Sequence, residues 1–334
     1  MKNLKKLLTV LLSVCIILTA FSGCISKVDT VAEVNGEKIT EENYVFQYYL
    51  GSTLFQVLSN VGLERGTDAA KNYLEDTEIE EGKTAIELCK EEALNATVRL
   101  FAELQKAKEE GLTITDEDRE KIKSEDNYYI QMVGGDDAFN KHIESLGITR
   151  EDYDKMSENF TLSDKLQKKF VTVTDEEVEK AIKDEEYISA KHILFMTVDA
   201  ATNVPLSEEE IAQKKEIAQM VLSEIRSGGD FDALMNEFSE DPGLQQSPDG
   251  YTFKKGEMVK PFEDASYALE ENKVSDIVES DFGYHIIKRI PLMDEFKADK
   301  KASVQTEKYI KLVDEWVEKY NIKKFEKALK GVEY

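Results

Sequence analysis

"FGYHIIKRI", residues 282–290, sets a histidine inside an apolar, β-branched run that reads as a buried strand. A second histidine lies in "AKHILF", 190–195, between the same kinds of neighbour. The chain holds only three histidines in 334 residues. One histidine in an apolar strand is usually a satisfied core residue. Two of three in that setting form a candidate pair.

Working outward, "YISAKHILFMTV" is predicted to be a strand, followed by a loop and a long helix over about 208–226 that stops at "SGGD". A second helix ("FDALMNEF"), the loop "SEDPGLQQSPDG", a strand ("YTF"), the turn "KKGEM", a short helix ("PFEDASYAL") and two strands ("VSDIVE", "YHIIKRI") complete the pattern. The order predicts an α+β module over 187–291 with four strands and three or four helices.

The flanks are helical. "VAEVNGEKIT", 31–40, reads as a strand, an Asn-Gly turn and a return strand, and an aromatic-rich helix follows. From Thr84 to Glu110, Ala85, Leu88, Cys89, Glu92, Ala93, Ala96, Leu100 and Leu104 recur at helical spacing with one charged interruption. Thr115/Asp118, Thr149/Asp152, Thr174/Glu177 and Ser207/Glu210 have the spacing of capping boxes at helix starts. Beyond Pro291, the residues Tyr309, Leu312, Val313, Trp316, Val317 and Tyr320 make one apolar stripe. A lone helix cannot bury such a stripe, so residues 292–334 are expected to pack on a helical region spanning 24–186. The 187–291 module is then inserted between the two parts.

The net charge of −25 argues against nucleic acid as a partner, because phosphate contact needs the opposite sign. Three lysines precede the apolar run Leu7–Phe21, which has the proportions of a secretory signal rather than a membrane span. It ends in "FSGC", which resembles a bacterial lipobox and implies a signal peptide over 1–23 with lipidation at Cys24. The chain is then expected to be exported and anchored on the outer face of the bacterial cell membrane. Cys15 leaves with the signal, so Cys89 remains alone, a small core residue without a disulfide partner. The acidic runs lack the alternating ligands and central glycine of a calcium loop, and no metal or cofactor is expected. His142 has no partner in sequence and reads as a surface residue.

"AKHIL", "SGGDFDALMNEFSEDPG", "KGEMVKPFEDASYAL" and "FGYHIIKR" together resemble the parvulin-type peptidyl-prolyl isomerase domain, in that family's order and near its spacing. The whole chain resembles the PrsA-like foldase lipoproteins, in which both chain ends build a helical chaperone region around an inserted parvulin domain. The resemblance implies a four-stranded antiparallel sheet with surrounding helices, and clients that are unfolded secreted proteins containing X-Pro bonds. It further implies that His192 and His285 are paired active-site histidines, with Asp241 facing substrate and Ser280 supporting the pair. Met258 and Phe262 would wall a proline pocket, extended by Phe253 and Tyr251. The helical region is also a candidate for homodimer formation. Two features depart from common parvulin patterns. "SPDGYTF" replaces the frequent Gly-Asp-Leu-Gly run, with Tyr251 as a substitute contact. The loop "MTVDAATNVPLSEEE" carries no Lys or Arg, which argues against phosphate recognition.

Rotation about a peptide bond faces a barrier of about 18–20 kcal/mol from amide resonance. No bond is made or broken, so an apolar cup with responsive polar groups suffices in principle. Two other readings compete with an isomerase: a parvulin-fold holdase without activity, kept open by the altered loop, and an unrelated solute receptor. The receptor reading lacks the alternating βαβ units that two α/β lobes need.

Overall fold

The computed structural model describes residues 28–202 and 204–334. The expected signal peptide and Cys24 lie outside the described residues. The chain forms two compact units, one running up to Thr172 and including Thr306–Tyr334, the other Val173–Gln305.

The first unit opens with a hairpin of Thr30–Val34 and Glu37–Thr40. Its turn residues Asn35 and Gly36 both have positive φ, 50° and 86°, as the mirror-image hairpin turns require. A third strand, Ile322–Lys324, pairs antiparallel with Thr30–Val34. The sequence reading assigned only helix to this C-terminal stretch. Three residues with two lysines carry no local strand signal, and only the distant hairpin edge makes them one.

Helix Ala85–Glu109 is the centre of this unit, opened by a capping box between Thr84 and Glu87. Its buried residues are not confined to the expected stripe. Ile86, Leu94, Val98 and Phe101 are buried together with Cys89, Ala93 and Leu100, while Glu92 is exposed. Helices Tyr44–Ser59, Arg150–Phe170 and Glu326–Gly331 all pack on it, so it behaves as a surrounded core helix rather than a one-sided surface helix. Cys89 sits in this core, where burial pushes its thiol up to about 12 and leaves it unreactive. Tyr309, Val313 and Trp316 of the C-terminal stripe are buried, and the Trp316 ring meets Phe170 edge-on at 5.5 Å. The four spaced Thr/Ser–acid pairs all close as capping boxes.

The second unit is built on a four-stranded antiparallel sheet in the order Tyr251–Phe253, Ile188–Met196, Gly283–Ile290, Val274–Ser280. The two long strands lie at the centre, with Leu194 opposite His285 and His192 opposite Ile287. Alternation then sorts the side chains. One face carries Ile193, Phe195, Tyr284 and Ile286 and packs against helices Glu208–Arg226 and Phe231–Phe238. The other carries Ala190, Ile287 and both histidines, and packs Phe262 from helix Lys260–Ala268. Gly283 has φ 143°, and a Cβ there would stand 2.1 Å from the Phe195 carbonyl oxygen. Only glycine lets the last strand enter the sheet at this approach.

The unit extends beyond 187–291 at both ends. Helix Asp175–Asp184 precedes the sheet, and the first turns of helix Asp294–Lys319 follow it. Tyr187 packs on Phe296 with ring centres 4.7 Å apart, Lys301 pairs with Asp175 at 2.8 Å, and Lys300 pairs with Glu185.

Candidate active site

His192 and His285 stand on the same sheet face, two register positions apart across the central strands. Their rings stack at 17°, and the two Nδ1 atoms are 3.1 Å apart. His192 Nε2 reaches Asp241 Oδ2 at 3.0 Å, and His285 Nε2 reaches the Ser280 hydroxyl at 2.7 Å. Three strands and one loop thus bring four of the predicted residues into one hydrogen-bonded line.

Asp241 reaches this line because its loop is laced to the strand that carries His192. The Ser239 hydroxyl accepts the Leu194 N–H at 3.2 Å, and the Glu240 carboxylate accepts the Met196 N–H at 2.7 Å. The Glu240 N–H donates back to the Leu194 carbonyl at 2.8 Å. The loop therefore continues the sheet edge where the short Tyr251–Phe253 strand ends. Tyr251 donates its hydroxyl to Asp241 Oδ2 at 2.6 Å, and the Gly243 N–H donates to Oδ1 at 3.0 Å. A Cβ on Gly243 would stand 2.2 Å from that hydroxyl, so this position needs glycine for space.

The electrostatics give the line a direction. Burial works to raise the Asp241 carboxyl, but donors from His192, Tyr251 and Gly243 outweigh it and hold the group well below the usual carboxylate range. Burial and the neighbouring His192 push His285 down to about 4. Burial and the Asp241 charge push the Tyr251 hydroxyl up, so it stays a donor. An ionised carboxylate only accepts, which puts a proton on His192 Nε2. With one proton per ring, His285 Nδ1–H donates to His192 Nδ1, and Ser280 O–H donates to His285 Nε2. A single further proton on the pair leaves His192 Nε2–H donating to Asp241 and reverses only the far end, where His285 Nε2–H then donates to the Ser280 hydroxyl. The line is thus a satisfied polar network in a low-dielectric setting.

Over this network lies a cavity of about 370 Å³. Phe262 forms its back wall and stands edge-on to both imidazoles, with ring centres 5.1 and 5.6 Å away. Met258 and Tyr251 also line it. Phe253 does not: it is fully buried, 5.7 Å behind Phe262, and supports the wall instead of forming it. Its strand position, opposite Ile188, points it into the core below the cavity. Leu194, Met196, Val259 and the exposed Phe282 line the cavity as well, and none was singled out from sequence. Leu194 and Met196 were readable, because alternation from His192 puts both on its face. Phe282 was not, since it sits on the turn before the strand rather than in it. Among the described residues no group of three or more His, Cys, Asp or Glu could hold a metal ion. His142 is half-buried, edge-on to Phe55 at 5.4 Å and far from this chemistry in sequence.

Comparison with known proteins finds relatives both of this domain and of the longer chain. Residues 176–290 match the model of the PPIC-type PPIase domain family. The foldase protein PrsA of Caldanaerobacter subterraneus subsp. tengcongensis is 29% identical over 324 residues, covering 90% of this chain and 89% of the relative. That of Clostridium botulinum (strain 657 / Type Ba4) is 29% identical over 369 residues, covering 98% and 100%. Among solved structures, the crystal structure of PrsA from Bacillus subtilis matches with a TM-score of 0.29 and 22% identity, covering 75% of this chain and 89% of that one. Residues 176–290 are therefore a parvulin-type peptidyl-prolyl cis-trans isomerase domain, and over most of its length the chain is similar to PrsA foldases.

Proposed function

We propose that the cavity above the His192–His285 pair is where the X-Pro bond of a client protein is turned. One observation carries the reading: an apolar cup sits directly on a fully connected His–His–Asp–Ser network. A planar amide is polar and well solvated, whereas a twisted amide has lost resonance and part of its dipole. Moving the bond from water into a cup of Phe262, Met258, Leu194 and Met196 penalises the planar form more than the twisted one. That is differential binding of the transition state. The proline ring would sit against Phe262 and Met258, a pairing of aromatic face and polarisable thioether suited to a flat aliphatic ring.

In this reading His192, His285 and Ser280 hold the floor of the cup in one shape. Asp241 fixes the orientation of His192 and Tyr251 and leaves a negative charge beside the reacting amide. Tyr251 fills the place that the shortened loop leaves open. No nucleophile is needed, because the reaction changes only a torsion.

The wider reading is an exported foldase held at the outer membrane face by lipid on Cys24, acting on secreted proteins as they fold. The signal-like run and the cysteine after "FSG" support it. No helix among the described residues is long and apolar enough to cross a membrane. The unit Val173–Gln305 would carry the catalytic domain at 187–291, and the unit built from the two chain ends would be a client-binding chaperone region. Mass spectrometry of the protein from membranes of an expressing bacterium tests the anchor. A diacylated N-terminal cysteine is expected, and an unmodified mature terminus would remove the proposal.

Protease-coupled isomerisation of a short X-Pro peptide tests the site. The expected result is clear acceleration by the wild-type chain and loss of at least tenfold in kcat/KM with His192→Ala. Acceleration equal in wild type and His192→Ala would sink the assignment. Suppression of client aggregation that survives with no isomerisation at all would instead favour a holdase.

A further inference from the structure

The cavity that holds the proposed reaction carries two carboxylates and no Lys or Arg in its lining. Asp241 lies at its floor, ionised and satisfied by its three donors. Glu257 lies at its exposed rim, next to Met258 in the chain. Its carboxylate accepts the Lys254 N–H at 3.1 Å, and no cation pairs with it among the described residues. The lysines around the wall are turned to other acids. Lys254 faces Glu185 at 3.9 Å, Lys255 faces Glu186 at 2.8 Å and Lys260 faces Asp264 at 2.8 Å. Lys214 pairs with Glu240 behind the Asp241 loop. Arg289, on the cavity face of its strand, is spent on the Ser266 and Leu269 carbonyls at 3.3 Å. The mouth therefore presents net negative charge that its neighbours do not cancel.

We infer that Glu257, with Asp241 below it, makes this site select X-Pro bonds in which X is lysine or arginine. It would discriminate against X as aspartate, glutamate or a phosphorylated residue. The inference rests on the cavity being the isomerase site. Residue X is joined to proline through the bond that rotates, so its side chain must leave through the mouth when the ring is seated. Consecutive Cα atoms are about 3.8 Å apart, which keeps an X side chain well within a Debye length of Glu257. Glu257 is exposed, so its effect is a matter of selectivity and encounter rather than tight affinity. Reversing the sign of X is expected to change kcat/KM by about five- to tenfold at low salt.

The test uses the full chain and a peptide series with X as Arg, Gln or Glu before proline. Each rate is divided by that of the Gln peptide in the same variant, so partial loss of fold cancels. The expected order is Arg above Gln above Glu, with the Arg-to-Glu ratio shrinking towards one at 1 M salt. Glu257→Gln should roughly halve the ratio on a logarithmic scale, and Glu257→Lys should abolish or invert it. Equal rates across the series, or a ratio unchanged in Glu257→Lys, would overturn the inference while leaving the isomerase site intact. Failure to accelerate any of the three peptides would overturn both.

Discussion

Each unit of the molecule buries a carboxylate or imidazole cluster tied by hydroxyls, and the two clusters are tuned in opposite directions. In the sheet unit, Asp241 takes donors from an imidazole, a phenol and a backbone N–H, and stays ionised although burial opposes it. In the helical unit, Glu103 of helix Ala85–Glu109 accepts from Ser163 and from Tyr309 at 2.9 Å, and those two hydroxyls are 3.1 Å apart. Burial dominates there and pushes Glu103 up to about 7, against Ser163, Tyr309 and the nearby Arg99. The contrast shows that burial alone does not decide a charge state. Glu103 is fully buried and takes two hydroxyl donors, whereas Asp241 is only half-buried and takes three donors, so depth of burial and donors act together. It also separates a site from a clasp: the first cluster floors a cavity, while the second joins helix Ala85–Glu109 to helix Arg150–Phe170 and to Tyr309 of the C-terminal helix.

The comparison can be broken at several strengths. Phe262 touches both histidines and Phe253, so Phe262→Ala should destabilise the sheet unit by about 3–5 kcal/mol and remove most isomerisation. Urea unfolding followed in each unit would read this. Equal loss in the helical unit would mean that the two clusters do not belong to separately stabilised units.

The pH responses should cross. His285 sits near 4 when folded against an ordinary value of 6.5, so its contribution is present above 6.5 and lost as pH falls through 4. Glu103 sits near 7 against 4.5, so its contribution is present below 4.5 and lost as pH rises through 7. Each is worth on the order of 3 kcal/mol across its window. Native-state hydrogen exchange, as protection factors at pH 5 and pH 7, should show the sheet unit weakening on acidification and the helical unit strengthening. Glu103→Gln should flatten only the helical response and leave isomerisation unchanged. Parallel responses in the two units would end the comparison.

Smaller changes sharpen it. Asp241→Asn removes the charge and turns a donor towards the Gly243 N–H. It is expected to lower stability by about 1–3 kcal/mol and isomerase kcat/KM by about tenfold. Tyr251→Phe removes one of three donors to Asp241 and should cost only about 1 kcal/mol, with a fewfold loss in rate. A larger effect for Tyr251→Phe than for Asp241→Asn would mean that the phenol acts on substrate directly rather than through the carboxylate.

Much of the fold was legible because its signals are local. Capping boxes at Thr115, Thr149, Thr174 and Ser207, the Asn35-Gly36 turn and the apolar strands around His192 and His285 each lie within a few residues. The site was half legible. His192, His285, Asp241 and Ser280 were picked out by their resemblance to a family pattern, and the structure brings those four together. Phe253 was misplaced because a strand's alternation tells which face a residue takes, and not how deep in that face it lies. Glu103 was overlooked because a glutamate inside a helical sequence reads as a solvated face. Only the arrival of Ser163 and Tyr309 from distant helices makes it a buried one.

By itself, the amino-acid sequence determined the elements, the face on which each histidine stands and the acid-rich character of the chain. Those follow from periodicity, caps and charge, which need no partner. Tertiary structure alone decided which polar groups are buried with which donors, and so which carboxylate stays charged. It also decided that Gly243 must leave room for the Tyr251 hydroxyl, and that Ile322–Lys324 becomes a strand at the edge of a hairpin nearly 290 residues away in sequence. The reason is physical: desolvation and hydrogen bonding depend on what surrounds a group in space, and a linear pattern records only its neighbours along the chain.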